Sequence, residues 1–294
     1  MKIGDTVVRK SYKKDIIFKI IDIKEFQGKV TYILKGISIR IIADAPKNDL
    51  ELVDYEYIEE NEKILNSRVS EAIRKSKGVE MLSKFRSNMT PRGSKTSKIE
   101  VPNKDLIFGR PGKILHIDGD EEYLEACLKV YKQLSLDAIG KAIAEEEQWL
   151  KVVDLVKEVK PDIVVLTGHD SVLKSTDDYL DLNNYRNTKY YIEAVKALRD
   201  YNSSYDELVI FAGACQSCYE CLLDAGANFA SSPSRVLIHC LDPVFVCEKI
   251  AYTKIDEIVS ITDLVEGTIT GLKGIGGLQT RGKYREGYPK STYI

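Results

Sequence analysis

Two stretches decide the fold: Asp162-Ile163-Val164-Val165-Leu166-Thr167-Gly168-His169-Asp170 and Glu207-Leu208-Val209-Ile210-Phe211-Ala212-Gly213-Ala214-Cys215-Gln216-Ser217. Each opens with an unbroken apolar run and closes on glycine followed by a reactive residue. A strand that faces solvent on one side alternates polar and apolar; a run with no alternation belongs to a strand buried on both faces, as in a parallel sheet covered by helices. Working outward, Lys113–Asp120 reads as a buried strand ending in a turn, and Leu136–Ile143 and Val236–Cys240 as further strands. Glu121–Leu134, Glu145–Val159, Tyr190–Asp200 and residues near 243–251 carry helical periodicity. Strand and helix in alternation predict an α/β domain over 111–262, a three-layer sandwich with a mostly parallel sheet.

The flanks differ. Residues 1–55 hold short β-branched runs, Val7-Val8, Ile16–Ile21, Val30–Leu34 and Ile37–Ile42, punctuated by Gly4-Asp5, Gln27-Gly28 and Ala45-Pro46, which predicts a small SH3-like β-barrel. Residues 56–110 read as a helix followed by a basic linker: Lys63 to Lys113 carries 13 basic residues against 4 acidic. Its breaker-rich stretch, Arg86 to Lys95, suits exposure to proteolysis, and it lacks the interleaved aromatics that nucleic-acid stacking needs. The Gly-rich tail, 263–294, has no helix after its glycines to make a phosphate cradle.

The chain has 294 residues, 44% hydrophobic and 30% charged, with a formal net charge of -2. This is a globular composition without a global polyanion-binding signature. No apolar run approaches the ~20 residues of a membrane span, and the start lacks the apolar stretch of a signal peptide. A soluble protein of the reducing cytoplasm is expected, its six cysteines forming no disulfide scaffold.

In open α/β sheets, sites form at the carboxyl ends of the strands. Neighbouring strands would bring His169 and Cys215 out side by side. A thiolate attacks carbonyls well but needs a nearby base or cation to form, and imidazole serves as both. A helix beginning near Gln216 would turn its positive end toward Cys215. The backbone N–H groups of Cys215 and of Gly168 or Asp170 would form an oxyanion hole. Of the other histidines, His116 lies within an apolar strand and reads as core, while His239 is an alternative partner for Cys215.

A histidine after one core strand and Ala-Cys after the next resembles the caspase-like cysteine peptidases, although there the histidine is usually followed by glycine, and here Gly168 precedes it. A narrower resemblance spans most of the chain. Gly4–Tyr12, Asp15–Ile20, Lys113–Asp120, Leu166–Asp170, Phe211–Ser217 and Gly276–Gly282 look like the sporulation-specific YabG peptidases. The resemblance implies a protease of the developing spore, acting on coat and other spore proteins in the mother-cell compartment, often after arginine, and able to cleave itself. It needs no cofactor or metal. Self-cleavage would fall after Arg86, Arg92 or Arg110. An arginine substrate calls for a carboxylate at the base of its pocket. Asp170, Asp177, Asp178, Asp206, Glu220 and Asp242 lie near strand ends, with Asp170 favoured there or as the group orienting His169. The rival reading is a non-enzymatic scaffold whose Cys215-x-x-Cys218-x-x-Cys221, completed by His239 or Cys240, holds a metal.

Overall fold

The computed structural model describes residues 1–26, 28–53, 67, 70–71, 107–173 and 176–291. The chain begins with strands β1 (Thr6–Arg9), β2 (Ile17–Phe26), β3 (Lys29–Gly36), β4 (Ile42–Pro46) and β5 (Leu50–Leu52). They form one antiparallel sheet in the order β4-β3-β2-β1-β5. A 3₁₀ turn, Lys47–Asp49, precedes the last strand. Val7, Phe18, Ile20, Tyr32, Leu34 and Leu50 fill its small core. The run Ile37–Ile42, expected as one strand, contributes only Ile42 to β4; residues 37–41 form the β3–β4 loop.

The second unit alternates. β6 (Phe108–Arg110) is followed by β7 (Ile114–Asp118), α1 (Glu121–Gln133), β8 (Ala138–Ala142), α2 (Glu145–Val159), β9 (Ile163–Thr167), α3 (Thr188–Tyr201), β10 (Val209–Ala212), α4 (Tyr219–Asp224), β11 (Phe229–Ser231), α5 (Asp242–Tyr252), α6 (Ile261–Glu266), β12 (Ile275–Gly277) and β13 (Arg285–Gly287). The six-stranded sheet runs β12-β11-β10-β9-β7-β8, parallel throughout except for antiparallel β12. Side chains alternate across each strand. Ile163 and Val165 of β9 face a layer containing α1, α5 and α6, while Val164 and Leu166 face α2, α3 and α4. Every residue of β7, β9 and β10 is buried, which is why their sequences show no alternation.

Three features depart from the sequence expectation. The fifth parallel strand is Phe229–Ser231, not Val236–Cys240. Three residues, two of them small, carry no periodic signal, whereas 236–240 is apolar because most of it is buried, not because it joins the sheet. The helix after Cys215 starts at Tyr219 rather than Gln216, since Gln216 takes a left-handed backbone (φ 59°) that cannot belong to a helix. Its positive end therefore does not abut Cys215. The Gly-rich tail is built into the domain: β12 adds to the sheet, β13 pairs with β6, and Ile275 and Tyr284 are buried in the core.

Candidate active site

Strand β8 lies on one side of β7 and β9 on the other, so the winding reverses between β7 and β9. Open α/β sheets gather ligands at the carboxyl ends beside such a reversal. β7 ends there in Asp118-Gly119-Asp120, and β9 runs into Gly168-His169. β10 is the next strand over, paired with β9 in the register Ala212 to Leu166. His169 and Cys215 therefore leave neighbouring strands at the same height. The two loops are tied together: Thr167 Oγ1 donates to Gly213 O at 2.9 Å, and Ser217 Oγ donates to Asp170 at 2.8 Å. The Tyr123 ring lies 5.7 Å from that of His169.

His169 is oriented by Asp120, with Nε2 2.9 Å from Oδ2. A carboxylate there fixes the proton on Nε2 and leaves Nδ1 as the basic nitrogen. Nδ1 is buried without a hydrogen-bond partner. Asp120 also caps α1 through Oδ1, which accepts from the amides of Glu122 and Tyr123. Burial alone would raise its carboxyl pKa; the hydrogen bonds from His169 and Lys35, with the Lys35 charge, hold it well below the usual carboxylate range. Lys35, from β3, bridges Asp120 and Glu122 at 2.7 Å each. The backbone N–H of His169 donates to Glu145 Oε1 at 2.6 Å. That carboxylate fills the space where a Cβ on Gly119 or Gly168 would stand, 2.3 Å away in both cases.

Cys215 is fully buried. Its sulfur accepts from the amide of Ile238 at 3.2 Å. Burial pushes the thiol up to about 12, against the opposing effect of backbone hydrogen bonds from Ile238 and Arg40 and of the Arg40 charge. The β3–β4 loop lies against it through the backbone of Arg40. Ile39 pairs with His239 in an antiparallel bridge, and the amide of Cys240 donates to Ser38 O at 2.9 Å. The Arg40 side chain descends into the domain and is entirely enclosed. Its Nη1 lies 2.9 and 2.7 Å from the two oxygens of Asp118, and Nη2 donates to Cys240 O at 3.2 Å and faces Cys127 Sγ at 3.7 Å. Tyr123 lies 5.1 Å from the guanidinium carbon, and its hydroxyl donates to Gly36 O and Ile39 O. Burial works to raise the Asp118 pKa, but the Arg40 charge, the His116 ring 3.5 Å away and the Asp120 amide together outweigh it and keep the carboxyl below its ordinary value.

The other residues singled out in the sequence take different places. Asp170 is buried and committed to the amides of Ser171 and Asn187 and the hydroxyls of Thr188 and Ser217. Asp242 is likewise committed to the amides of His239, Ile269 and Thr270 and the Thr270 hydroxyl. Burial raises both carboxyl pKa values against those hydrogen bonds. Neither faces a guanidinium. His116 is enclosed beside Tyr131, and His239 Nδ1 accepts from the Leu241 amide. Cys218 and Cys221 are joined as a disulfide where the sequence suggested two thiols. Among the described residues no group of three or more His, Cys, Asp or Glu is placed to hold a metal. Arg110 sits in β6, exposed; Arg86 and Arg92, with nearly all of the expected helix, lie outside the described residues. Sequence reasoning passed over Asp118, Asp120, Glu145 and Arg40. The signal for the first two was present, since Asp118-Gly119-Asp120 ends a core strand just as Gly168-His169 does.

The fold and these strand ends define an α/β protein with a histidine, a cysteine and paired carboxylates at its topological switch point. The profile of the YabG peptidase U57 family matches residues 2–289. The chain is 39% identical over 289 residues, 98% of its own length and 98% of the relative's, to the sporulation-specific protease YabG of Bacillus subtilis (strain 168). It belongs to the YabG peptidase family and is a peptidase. Among the described residues no helix is long and apolar enough to cross a membrane.

Proposed function

We propose that the protein is a cysteine endopeptidase that cleaves after arginine, with Cys215 as nucleophile, His169 as general base and acid, and Asp120 as the group that positions His169. The carrying observation is the Nε2 contact of His169 with Asp120, which leaves Nδ1 basic on the strand beside the one that ends in Cys215. In the first step the Cys215 proton passes to His169 Nδ1 and sulfur adds to the carbonyl carbon of the substrate arginine. The oxyanion is received by backbone N–H groups, for which Cys215, Gly168 and Asp170 are the candidates. The C–N bond then breaks, His169 returns the proton to the leaving amine, and a thioester remains. Water, giving its proton to His169, hydrolyses that thioester to the carboxylic acid and restores the thiol.

Asp118 is the base of the arginine pocket in this reading, in place of Asp170 or Asp242. A guanidinium already lies against it, flanked by Cys240 O and Tyr123. Strand order and the His and Cys on adjacent strands support a caspase-like catalytic domain over about 111–262, extended by the tail that supplies β12. The order of β1–β5 with its 3₁₀ turn supports an SH3-like module. The relative's name and the family resemblance favour spore proteins, including coat proteins, as substrates in the mother cell, and self-cleavage in the basic segment. The test is hydrolysis of arginyl and lysyl aminocoumarin peptides by wild type, Cys215→Ala and Asp118→Asn. Loss of all hydrolysis in Cys215→Ala, with selective loss of arginyl hydrolysis in Asp118→Asn, is expected. Undiminished activity in Cys215→Ala would remove the assignment. Intact masses of wild type and Cys215→Ala check self-cleavage, which predicts shortened chains in wild type alone.

A further inference from the structure

Residues 37–41 do not continue the sheet that carries them. The loop is tightly closed at its base, with Gly36 N donating to Ile41 O at 2.9 Å and Ile41 N to Ile39 O at 2.8 Å. Its outer part lies antiparallel along 238–240 of the other module. The loop is a tight turn with Arg40 at its tip, paired through Ser38 and Ile39 to the neighbouring segment; main-chain pairing beside one side chain in a deep pocket is also how strand-added peptides bind. That side chain is Arg40, and its pocket is built for a guanidinium: a fully buried carboxylate, a carbonyl and an aromatic ring. Buried ion pairs contribute little net stability compared with apolar packing, so stability alone gives no reason to place Asp118 there.

We propose that the β3–β4 loop is an internal, substrate-like ligand that closes the cleft of the resting protein, with Arg40 standing where the arginine of a substrate enters. The proposal rests on the peptidase reading for the identity of the cleft. The loop lies against Cys215, so an external chain and the loop compete for the same edge and the same pocket. Activation then consists of withdrawing the loop, and the amino-terminal module is the part that holds it in place: Lys35, at the end of β3, grips Asp120 and Glu122 beside it.

An interdomain clamp without regulatory meaning and a cleft-filling ligand differ in one respect: loosening the ligand increases access. The experiment compares wild type, Arg40→Ala and Arg40→Lys by the rate at which Cys215 is alkylated by iodoacetamide and by an arginyl acyloxymethyl ketone. Rates are read by peptide mass spectrometry, with buried Cys247 as the reporter of unfolding. A ligand that occupies the cleft most of the time lowers apparent access by its free fraction, so Arg40→Ala is expected to react ~10-fold faster or more while Cys247 stays protected. Arg40→Lys, which offers Asp118 a point charge instead of a planar fork, is expected to fall between. If Arg40→Ala unfolds, the lysine variant carries the comparison. Folded variants that react with iodoacetamide no faster than wild type would overturn the proposal. Faster alkylation by iodoacetamide with no reaction toward the arginyl ketone in any variant would keep the loop as a cover and remove the arginine-peptidase reading instead.

Discussion

At the scale of single residues, Asp120 has two duties on two oxygens. Oδ1 caps α1 and Oδ2 orients His169. Asp120→Asn keeps an oxygen for the cap but loses the charge that fixes the imidazole tautomer. The expected result is a fall in kcat of ~10²-fold or more, the scale of a general-base contribution, with KM nearly unchanged. Asp120→Ala loses the cap as well and is expected to melt lower by the equivalent of about 1 kcal/mol. Equal kcat values for wild type and Asp120→Asn would show that Asp120 serves α1 alone. Cys215 gives a second prediction. Its thiol is pushed up to about 12 by burial beside the loop, so its alkylation in the resting protein should still be rising at pH values where an exposed thiol has levelled off, above about pH 9. The sign follows from burial, which disfavours the thiolate and so raises the pKa. A rate that levels off near pH 8.5 would mean that Cys215 is already open to solvent.

At the scale of elements, the core strands were legible because burial on both faces leaves an unbroken apolar run, as in Ile163–Thr167 and Val209–Ala212. Helices α1 and α2 were legible from their periodicity, to within a residue of their observed ends. The failures have physical causes. Ile37–Ile42 has strand composition because it is partly buried, but it bends at 37–38 and its bridge partner lies some 200 residues away, beyond any local pattern. β11 is three residues of mixed size and could not be told from a turn. The Gly-rich tail gave no strand signal, yet at Gly277 a Cβ would stand 2.2 Å from Phe229 and 2.6 Å from a backbone oxygen. Glycine is what lets this strand lie against β11. A chain ending at Thr262 would therefore lose an edge strand and the buried Ile275 and Tyr284. It is expected to be expressed insoluble or molten, as judged by near-ultraviolet circular dichroism; a cooperative native-like melt would show the tail to be dispensable.

At the scale of the whole molecule, charged pairs join the two modules: Arg40 with Asp118, and Lys35 with Asp120 and Glu122. These carboxyls have folded-state pKa values below their ordinary ones. Such groups stabilise the folded state above the unfolded pKa, near 4, and that stabilisation fades as pH falls through the folded values. Asp170 and Asp242, raised by burial, act in the opposite direction, so a bare melting curve mixes the two effects. The difference between wild type and Asp118→Asn separates them: wild type should melt higher near pH 7, and the gap should close below about pH 4. A gap independent of pH would mean that the Arg40–Asp118 pair is not what couples the modules. The sequence offered the proposed His169–Cys215 pair but not this coupling, because Arg40 is one arginine in a β-branched run and nothing near it in the chain announces Asp118.

The central claim is that Cys215 is the nucleophile of an arginine-directed site, and cleavage mapping tests it most directly. A mixed peptide library would be incubated with wild type, with Arg40→Ala and with the Cys215→Ala form of each, and the cut sites read by mass spectrometry. Cuts after arginine are expected with Arg40→Ala, at a lower rate with wild type, and with neither Cys215→Ala protein. Cuts that persist without the Cys215 thiol would contradict the account.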